Sequence, residues 1–437
     1  MDEKKISIIL VYPSGSYRVL PYLKAAKSLD VKVLHVIDHM PPNINRQMPY
    51  DVVAVDFGKV EDAADSVVKA FAGKRPSAVI GIDDSSVVLA SVIAQKMGLP
   101  GNTPQSVGIS RDKSKLRETL TKAGLSNIRF YSSRLDADEH TLATRSFYPC
   151  VIKPVSLAAS RGVIKANNPT EFIEAFSRIR NMLLEDGSDP STQILVEEYV
   201  PGFEIAVDGL LTNGELTLIA IFDKPDPMEG PFFEETIYVT PSRLSPNIQG
   251  RVVNLIQLAS KAIGLKHGPI HAELRVNDDS IHLIEIAARA IGGKCSTILE
   301  YKLGMSLEEL IIRHSLGNTA SINWLTIKDN NIATGVMMIP IPRSGILNKV
   351  SGMEEALSIE GIENIDINIP LKSHVTPLPE GATYLGFIFA KGPTPEKVEY
   401  SLRKAHSLLK IEITPEIPII NRHFHLKSEE GLTSNVH

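Results

Sequence analysis

The stretch from Gly268 to Gly293 carries acidic, basic and imidazole side chains at a two-residue spacing (GPIHAELRVNDDSIHLIEIAARAIGG). Two apolar runs flank its polar centre, NDDS, and this pattern predicts a β-hairpin. A three-residue loop would pair Asn277 with Ile281. Because side chains alternate between the faces of a strand, the same register places Glu273 opposite Glu285. The sequence therefore predicts a hairpin with two facing carboxylates.

The two faces of this hairpin differ in chemistry. The predicted core face carries Ala272, Leu274, Val276, Ile284 and Ile286. The other face carries His271, Glu273, Arg275, Glu285 and, just beyond the strand, Arg289. Carboxylates about 5 Å apart repel by roughly 3 kcal/mol at an effective dielectric constant of about 20, so a proton or a cation is expected between them. A divalent cation such as Mg²⁺ suits such oxygen ligands. The alternative is a solvated face on which Arg275 and Arg289 pair with the glutamates.

The composition limits the classes of protein and partner. A chain of 437 residues predicts two to four domains, and 43% apolar with 22% charged residues is typical of globular proteins. A net charge of −5 without a basic run argues against a nucleic-acid partner. Two cysteines, Cys150 and Cys295, favour a reducing compartment and hence the cytoplasm. No stretch is long enough to cross a membrane, and the N-terminal apolar run is interpreted as a first strand.

Residues 1 to about 110 alternate strand and helix patterns, which predicts an open parallel sheet. The predicted strands are 6–11, 31–37, 51–55 and 77–82, and the predicted helices are 18–29, 61–72 and 86–97. Such sheets bind ligands at the carboxyl ends of their strands, so Asp83 and Asp84 are candidates to bind an amino group. Helix capping by Asp84 or Ser85 is the alternative. The segment has no GxGxxG motif, which argues against a dinucleotide site.

The middle of the chain contains a loop of small residues, 155–162, between strands predicted at 150–153 and 163–166. A helix is predicted before it, over 111–125. Small residues let backbone N–H groups approach phosphate oxygens, although a plain hairpin turn is the alternative. Lys153, at the end of an apolar strand, either extends to solvent or binds a phosphate.

Two further segments complete the chain. Residues 222–241 predict a long acidic lid or binding loop, in which Glu234 and Glu235 either attract a cationic amine or are solvated. From about residue 332 an α+β segment is expected, with strands near 336–341 and 384–390 and a helix over 395–409. The tail after Arg422 is polar and expected to be loose.

Four motifs in order resemble the ATP-grasp superfamily over nearly the whole chain: RDKSKLRETLTKAGL, VIKP with SLAASRGV, VEEYVPGFE, and HAEL with IEIAARAIGG. The likeness is greatest to carboxylate–amine ligases that join L-amino acids, of the bacilysin synthetase type. It implies an α/β and α+β multidomain ATP-grasp fold with an N-terminal open parallel-sheet domain. The expected domains are 1–110 (N-terminal), 111–198 (small ATP-grasp subdomain), 199–325 (large subdomain with the metal and substrate site) and 326–437 (C-terminal α+β).

The resemblance also implies roles for individual residues. Two lysines would contact the nucleotide phosphates, residues 160–162 would cover them, Glu197 with the 199–200 backbone would contact adenine, and Glu204 would bind the ribose. The nucleotide site would thus comprise Lys113, Lys153, Ser160, Arg161, Gly162, Glu197, Tyr199, Val200 and Glu204. Glu273 and Glu285 would be the metal ligands. The catalytic residues would be Arg289 and Lys153, and the substrate residues His271, Arg289, Gly292, Gly293 and Asp84.

Three positions bear on which reaction and substrate are expected. Many members of the superfamily have a metal-binding asparagine two residues after the second glutamate, where this chain has Ala287. Alanine is frequent in the amino-acid ligases, which favours that branch and leaves a reduced metal site open. Gly292 and Gly293 suggest room in one substrate pocket, or only form a turn.

The implied activity is ATP-dependent formation of an amide through an acyl phosphate, with release of ADP and phosphate. Its cofactors would be ATP and Mg²⁺, or Mn²⁺ in its place, and its partners a small carboxylate and a small amine. Homodimers are common among such enzymes. Two alternatives stay open: a biotin-carboxylase-like enzyme acting on bicarbonate, and a non-catalytic nucleotide-binding regulatory protein.

Overall fold

The computed structural model of the chain describes residues 6–40, 51–277, 280–318 and 332–415. Strands in these ranges form four sheets. The tail after Arg422 lies outside the described residues. Among the helices of these ranges, none combines the length and the apolar character that a membrane span requires.

The N-terminal part is a parallel sheet with helices, as predicted. Its elements are β1 (Ser7–Tyr12), α1 (Val19–Ser28), β2 (Lys32–Ile37), β3 (Val52–Ala54), α2 (Val60–Phe71), β4 (Ala78–Gly81) and α3 (Val87–Lys96). The strand order is β3-β2-β1-β4, and every pairing is parallel. The carboxyl ends of β1 and β4 therefore lie at one edge of the sheet, where Asp83 and Asp84 follow β4.

The helix predicted over 111–125 is confirmed with shorter bounds, and a second helix, which was not predicted, precedes it and meets it at Asp112. They are α4 (Pro104–Arg111) and α5 (Lys113–Lys122). Asp112 has an extended backbone, and its carboxylate accepts two backbone N–H bonds of 3.0 Å from the first turn of α5. The start of α4 carries a capping signature, Thr103 followed by proline, which the sequence analysis did not use.

The second sheet is antiparallel and carries the predicted small-residue loop. Its elements are β5 (Phe130–Arg134), α6 (Glu139–Arg145), β6 (Cys150–Pro154), β7 (Ile164–Ala166), α7 (Pro169–Glu185) and β8 (Gln193–Glu198). The strand order is β5-β8-β6-β7. The loop between β6 and β7 joins the last two strands at one side of this sheet, and α7 packs on the same two strands.

The third sheet is antiparallel and joins the middle of the chain to its C-terminal part. The middle part supplies β9 (Phe203–Thr212), β10 (Glu215–Lys224), β11 (Ile237–Thr240), α8 (Pro246–Ile263), β12 (Gly268–Asn277), β13 (Ser280–Ala287), α9 (Cys295–Leu303) and α10 (Leu307–Ser315). Because β10 continues to Lys224 and β11 occupies 237–240, the connection predicted over 222–241 is shorter, covering 225–236.

The C-terminal part completes this sheet and adds a small one. Its elements are β14 (Ala333–Ile339), β15 (Gly345–Ser351), α11 (Met353–Leu357), β16 (Ile362–Ile367), β17 (His374–Val375), β18 (Gly386–Gly392), α12 (Pro395–Leu408) and β19 (Lys410–Thr414). The described strands order as β13-β12-β9-β10-β11-β14-β18-β16 and as β17-β15-β19. The four domains stay a prediction, and the larger sheet runs across one of their boundaries, 325/326.

The hairpin β12–β13 departs from its predicted register in two places that compensate each other. Asn277 pairs with Ser280 rather than with Ile281, so the loop is one residue shorter than predicted. A β-bulge at Ile284 then restores the register. Glu273 consequently lies opposite Glu285, and that prediction is confirmed.

The bulge also changes which residue faces the core. Ile284, predicted to be a core residue, lines the large cleft described below. Leu283 packs into the core in its place, together with Ala272, Leu274 and Ile286. The alternation of apolar and polar residues along a strand does not reveal where a bulge inserts an extra residue, because the bulge changes which face the side chains occupy only locally.

Because of His314, near the end of α10, we expect the stability of the folded protein to depend measurably on pH. It is buried, its Nε2 lies 2.9 Å from Thr212 Oγ1, and its ring centroid lies 4.7 Å from that of His267. Burial, and then the neighbouring imidazole, lower the pKa of His314 from 6.5 to about 4. The unfolded chain thus binds a proton between these pH values that the folded chain does not, so stability is lost as the pH falls through this window.

We expect this histidine to reduce the free energy of unfolding by about 1–2 kcal/mol between pH 7 and pH 5. His314→Gln should lose that part of the pH dependence, whereas His140→Gln, at an exposed position, should keep it. Urea unfolding at pH 7, 6 and 5 measures the difference. Equal pH dependence in the wild-type protein and in His314→Gln would contradict the assignment.

Candidate functional site

One cleft of about 540 Å³ collects most of the predicted site residues. It lies among the N-terminal sheet, the β6–β7 loop, the eight-stranded sheet and the segment before β18. The predicted residues that line it are Asp84, Lys113, Lys153, Ser160, Glu197, Tyr199, Val200, Glu204, His271, Glu273, Glu285, Arg289, Gly292 and Gly293. Arg161 and Gly162 do not line it.

Lysines, rather than the predicted arginines, neutralise the two facing carboxylates. Lys224 Nζ lies 3.1 Å from Glu273 Oε1, and Lys113 Nζ lies 3.2 Å from Glu285 Oε2. The proposed partners Arg275 and Arg289 are engaged elsewhere, so that alternative is wrong. Burial alone would raise the pKa of Glu273, but Lys224 and the imidazole of residue 271 outweigh it and hold this pKa well below 4.5. Glu273 is therefore an ionised carboxylate at the cleft.

Lys224 organises an acidic cluster that the sequence analysis missed. Its ammonium group is buried and lies 2.8 Å from Glu204 Oε1 and 2.7 Å from Glu235 Oε1, in addition to Glu273. The three glutamates have carboxylate oxygens within 4.8 Å of one another. Glu235 is therefore not simply solvated. The available signal was Lys224 itself, a charged residue at the end of an apolar strand.

An apolar slot lies at one end of the cleft. Val151, Met228 and Phe233 form a small buried cluster, with Val163 and Tyr199 packed against it. The rings of Tyr199 and Phe233 stack with centroids 6.3 Å apart. The slot has the flat, apolar character that suits an aromatic ring.

Arg275 fixes the backbone beside this slot. Its guanidinium donates to Glu204 Oε2 at 2.9 Å, to the Val200 carbonyl at 2.9 Å and to the Met228 carbonyl at 2.7 Å. The Tyr199 N–H donates to the Pro149 carbonyl at 3.1 Å. The backbone of Tyr199 and Val200 is thereby fixed where both residues line the cleft.

Glu197 lies in a buried ion cluster. Its carboxylate contacts Lys153 Nζ and accepts from Arg117 Nε at 3.2 Å and Nη2 at 3.1 Å, and all three side chains are buried. Burial alone would raise the pKa of Glu197, but the two cations outweigh it and lower this pKa. Glu197 thus holds Lys153 at the cleft, and its carboxylate is not free for an adenine edge. Arg117 was not identified from the sequence.

The β6–β7 loop has a constrained backbone. Ala159, Ser160 and Gly162 have positive φ angles of 56°, 54° and 70°. A side chain at Gly162 would place its Cβ 2.7 Å from Met182 Cε, so this position requires glycine. Such strain outside glycine persists where surrounding contacts enforce it and is frequent at ligand-binding loops.

The nucleotide role of Arg161 stays a prediction, and its side chain does not line the cleft. Its guanidinium turns away from the cleft, pairs with Asp186 at the end of α7, and donates from Nε to the Glu380 carbonyl at 2.7 Å. Gly162 likewise donates its N–H to the Pro379 carbonyl at 3.0 Å. Both residues contact neighbouring segments, whereas Ser160 stays at the cleft.

Arg289 is held by Asp84 at the edge of the N-terminal sheet. Its Nη2 lies 2.7 Å from Asp84 Oδ2, and Arg111 Nη1 lies 2.9 Å from Asp84 Oδ1. Burial alone would raise the pKa of Asp84, but Arg289 and Arg111 outweigh it and lower this pKa. Asp84 therefore positions Arg289 and does not offer a free carboxylate to an amine. Among the described residues, the Oδ2 atom of Asp83 has no hydrogen-bond partner.

His271 lies between two carboxylates. Its Nδ1 is 3.0 Å from Asp208 Oδ1, and its Nε2 is 3.5 Å from Glu273 Oε1. Burial alone would lower the pKa of His271, but these carboxylates outweigh it and raise this pKa to about 9. Asp208 Oδ2 also accepts from the Ile291 N–H at 3.1 Å. Asp208, missed in the sequence analysis, thus ties the imidazole to the glycine turn after β13.

Gly292 and Gly293, in the turn after β13, support the interpretation that they form a turn more than the interpretation that they leave room in a substrate pocket. Gly293 has φ of 59°, and a Cβ there would lie 2.7 Å from Met338 Cε. A Cβ at Gly292 would make an ordinary contact, 3.5 Å from Tyr17 Oη. The space at Gly293 is therefore already filled by Met338.

The glutamate pair fits a divalent cation. Glu273 and Glu285 are half-buried at the cleft, and each keeps one carboxylate oxygen outside its lysine ion pair. Hard oxygen donors of this kind suit Mg²⁺ or Mn²⁺. The methyl group of Ala287, paired with His271 in the register, supplies no ligand, so two carboxylates are the protein ligands available at this hairpin.

Comparisons with known proteins agree with this geometry. Residues 146–298 match the ATP-grasp domain profile, and residues 337–414 match the L-amino acid ligase C-terminal domain 2. The alanine–anticapsin ligase of Bacillus subtilis (strain 168) is 24% identical over 58% of this chain and 56% of its own length. Carnosine synthase 1 of Gallus gallus is 27% identical over 65% of this chain and 32% of its own length.

A solved structure extends the likeness to nearly the whole fold. The crystal structure of L-amino acid ligase from Bacillus licheniformis superposes with a TM-score of 0.77 at 23% identity, covering 94% of this chain and 99% of that one. A 2-oxoglutarate carboxylase biotin carboxylase domain from Hydrogenobacter thermophilus gives 0.65 at 15% identity, covering 93% and 90%. The chain therefore has the ATP-grasp fold, with a match to the ATP-grasp domain over residues 146–298 and to the C-terminal domain of the L-amino acid ligases over residues 337–414.

Proposed function

We propose that this protein is an ATP-dependent ligase that joins the carboxylate of one small molecule to the amine of another, with ADP and phosphate released. The carrying observation is that one cleft brings together an apolar slot, two lysines, a pair of facing glutamates and a positioned arginine. The names of the relatives, alanine–anticapsin ligase and carnosine synthase, support amino acids as the substrate class. We place the enzyme in the cytoplasm, since both cysteines are unpaired and buried.

The slot is the proposed adenine site. The backbone of Tyr199 and Val200, predicted to contact adenine, lines the cleft at this slot. Glu204, held by Arg275 and Lys224, lies where the ribose would follow. Lys113 and Lys153 would then face the phosphates, with Ser160 in the loop above them.

Glu273 and Glu285 would hold Mg²⁺, which when bound neutralises phosphate charge during phosphoryl transfer. The substrate carboxylate oxygen would attack the γ-phosphorus, and ADP would leave. The amine nitrogen would then attack the acyl carbon and expel phosphate, forming the amide. Arg289, already oriented by Asp84, would stabilise the charge that develops on the carboxyl oxygens. We assign the substrate ammonium to Asp83, which lines the cleft and whose Oδ2 atom has no hydrogen-bond partner among the described residues.

The test is phosphate release from Mg-ATP over a grid of paired L-amino acids, with mass spectrometry of every active well. We expect phosphate release together with a product mass equal to the sum of two substrates minus water. A well with bicarbonate checks the carboxylase alternative. Nucleotide binding without turnover in any well would overturn the proposal in favour of a regulatory protein.

A further inference from the structure

The segment 376–384, which precedes β18, contacts two parts of the site at once. Strands anchor it on both sides, β17 before it and β18 after it. The Gly381 N–H donates to the Pro377 carbonyl at 2.8 Å, so the segment is folded back on itself. Its last three residues, Ala382 to Tyr384, line the cleft.

The middle of the segment is bonded to the β6–β7 loop. The Pro379 carbonyl accepts from the Gly162 N–H at 3.0 Å, and the Glu380 carbonyl accepts from Arg161 Nε at 2.7 Å. Arg161 and Gly162 thus hold the loop to the C-terminal part, which explains why they face away from the cleft.

A bidentate ion pair closes the same junction. Arg178, on α7, donates from Nε and Nη2 to the two carboxylate oxygens of Glu380, the second at 3.0 Å. The Arg178 guanidinium also lies 5.0 Å from the centroid of the Phe232 ring, in the 225–236 connection. Paired N–H donors give such an interaction directional specificity. Because both side chains are partly exposed, the pair contributes little to overall stability.

We propose that Glu380 is a positioning residue for the ligation reaction. Its ion pair with Arg178 fixes segment 376–384 against the β6–β7 loop. The loop therefore closes over the nucleotide only when the C-terminal part closes over the cleft with it. This inference rests on the proposed function. An acyl phosphate reacts with water as well as with an amine, so a loop that closes independently of the substrate side of the cleft exposes the intermediate to hydrolysis. The ion pair therefore determines what fraction of the ATP consumed yields amide rather than hydrolysed acyl phosphate.

The test uses Glu380→Arg, Arg178→Glu and the double variant with both changes, which restores the pair with its charges exchanged. The control is Glu363→Gln, which removes the ion pair with Lys391 inside the C-terminal part. The first readout is the ratio of ADP to amide at saturating substrates. We expect a ratio near one for the wild-type protein, the control and the double variant, and at least a threefold excess of ADP for each single variant.

The second readout does not depend on turnover. Hydrogen–deuterium exchange of peptides covering 155–162 and 376–384, with and without Mg-ADP, should show joint protection in the wild-type protein and its loss in the single variants. Single variants with a wild-type ratio and wild-type protection would overturn the inference while leaving the ligase proposal intact. A wild-type protein that forms no amide would overturn the ligase proposal, and the exchange measurement would still decide whether Glu380 ties the two segments together.

Discussion

We expect Glu285→Ala to reduce the rate of ADP formation by about 10³-fold or more, equivalent to roughly 4 kcal/mol of transition-state stabilisation. The change removes one of the two carboxylates proposed to hold the metal. It also leaves Lys113, 3.2 Å from that carboxylate, without this partner. Both effects act on charge at the phosphates, where positioning and neutralisation supply most of the catalysis.

The measurement is ADP release at saturating Mg-ATP and substrates, combined with the Kd of Mg-ADP. Glu285→Gln, which keeps the shape and removes the charge, should lose activity to a similar degree. Glu363→Ala, at a partly exposed ion pair far from the cleft, should keep wild-type rates. Turnover within tenfold of wild type in Glu285→Ala would refute the metal assignment.

Glu197→Ala destabilises the protein by about 3–5 kcal/mol, the range measured when one partner of a buried ion pair is removed. The substitution leaves two buried cations, Lys153 and Arg117, facing each other without the carboxylate that separates them. Neither side chain reaches water without moving out of the interior, because both are less than 5% exposed.

The adjacent residue provides a matched control. Glu198 pairs with Arg129, whose side chain is 60% exposed, so Glu198→Ala should cost less than about 1 kcal/mol. Urea unfolding followed by two spectroscopic probes compares the two variants with the wild-type protein. Equal destabilisation by both substitutions would show that the Glu197 cluster is not the source of the effect.

Regular patterns predicted the fold well. The N-terminal alternation of strands and helices, the hairpin and the small-residue loop all follow from the spacing of apolar residues and from glycine and proline positions. The error in the hairpin arose where the structure departs from regularity, at the bulge at Ile284. The helix α4, which ends next to Asp112, was not predicted. The lengthened β10 was missed because its polar end, Asp223–Lys224, is paired inside the protein and looks like a loop in sequence.

The sequence predicted which residues lie at the cleft better than it predicted which side chains they contact. The two glutamates, Lys153 and Arg289 all reach one cleft, as the motifs imply. Their partners come from elements distant in sequence, such as Asp84 beside Arg289 and Lys224 beside Glu273. A partner of this kind leaves no local pattern, because the tertiary packing alone determines which charge it meets. The contacts of Arg161 were missed for the same reason. Its sequence neighbours are loop residues, whereas its contacts lie at the end of α7 and in the C-terminal part.

The larger sheet makes the C-terminal part a poor unit for exchange between enzymes. Its strand β14 pairs with β11 over four residue positions, from Ile237–Met337 to Thr240–Thr334. Ending the chain before β14 would leave β11 as a bare sheet edge, and such edges pair readily with other chains and aggregate. Chains truncated near residue 325 should therefore aggregate, whereas grafts confined to the 225–236 connection or to segment 376–384 should fold. Proteins of this architecture that differ in substrate specificity are therefore expected to differ in the loops above the sheet and to share the sheet itself.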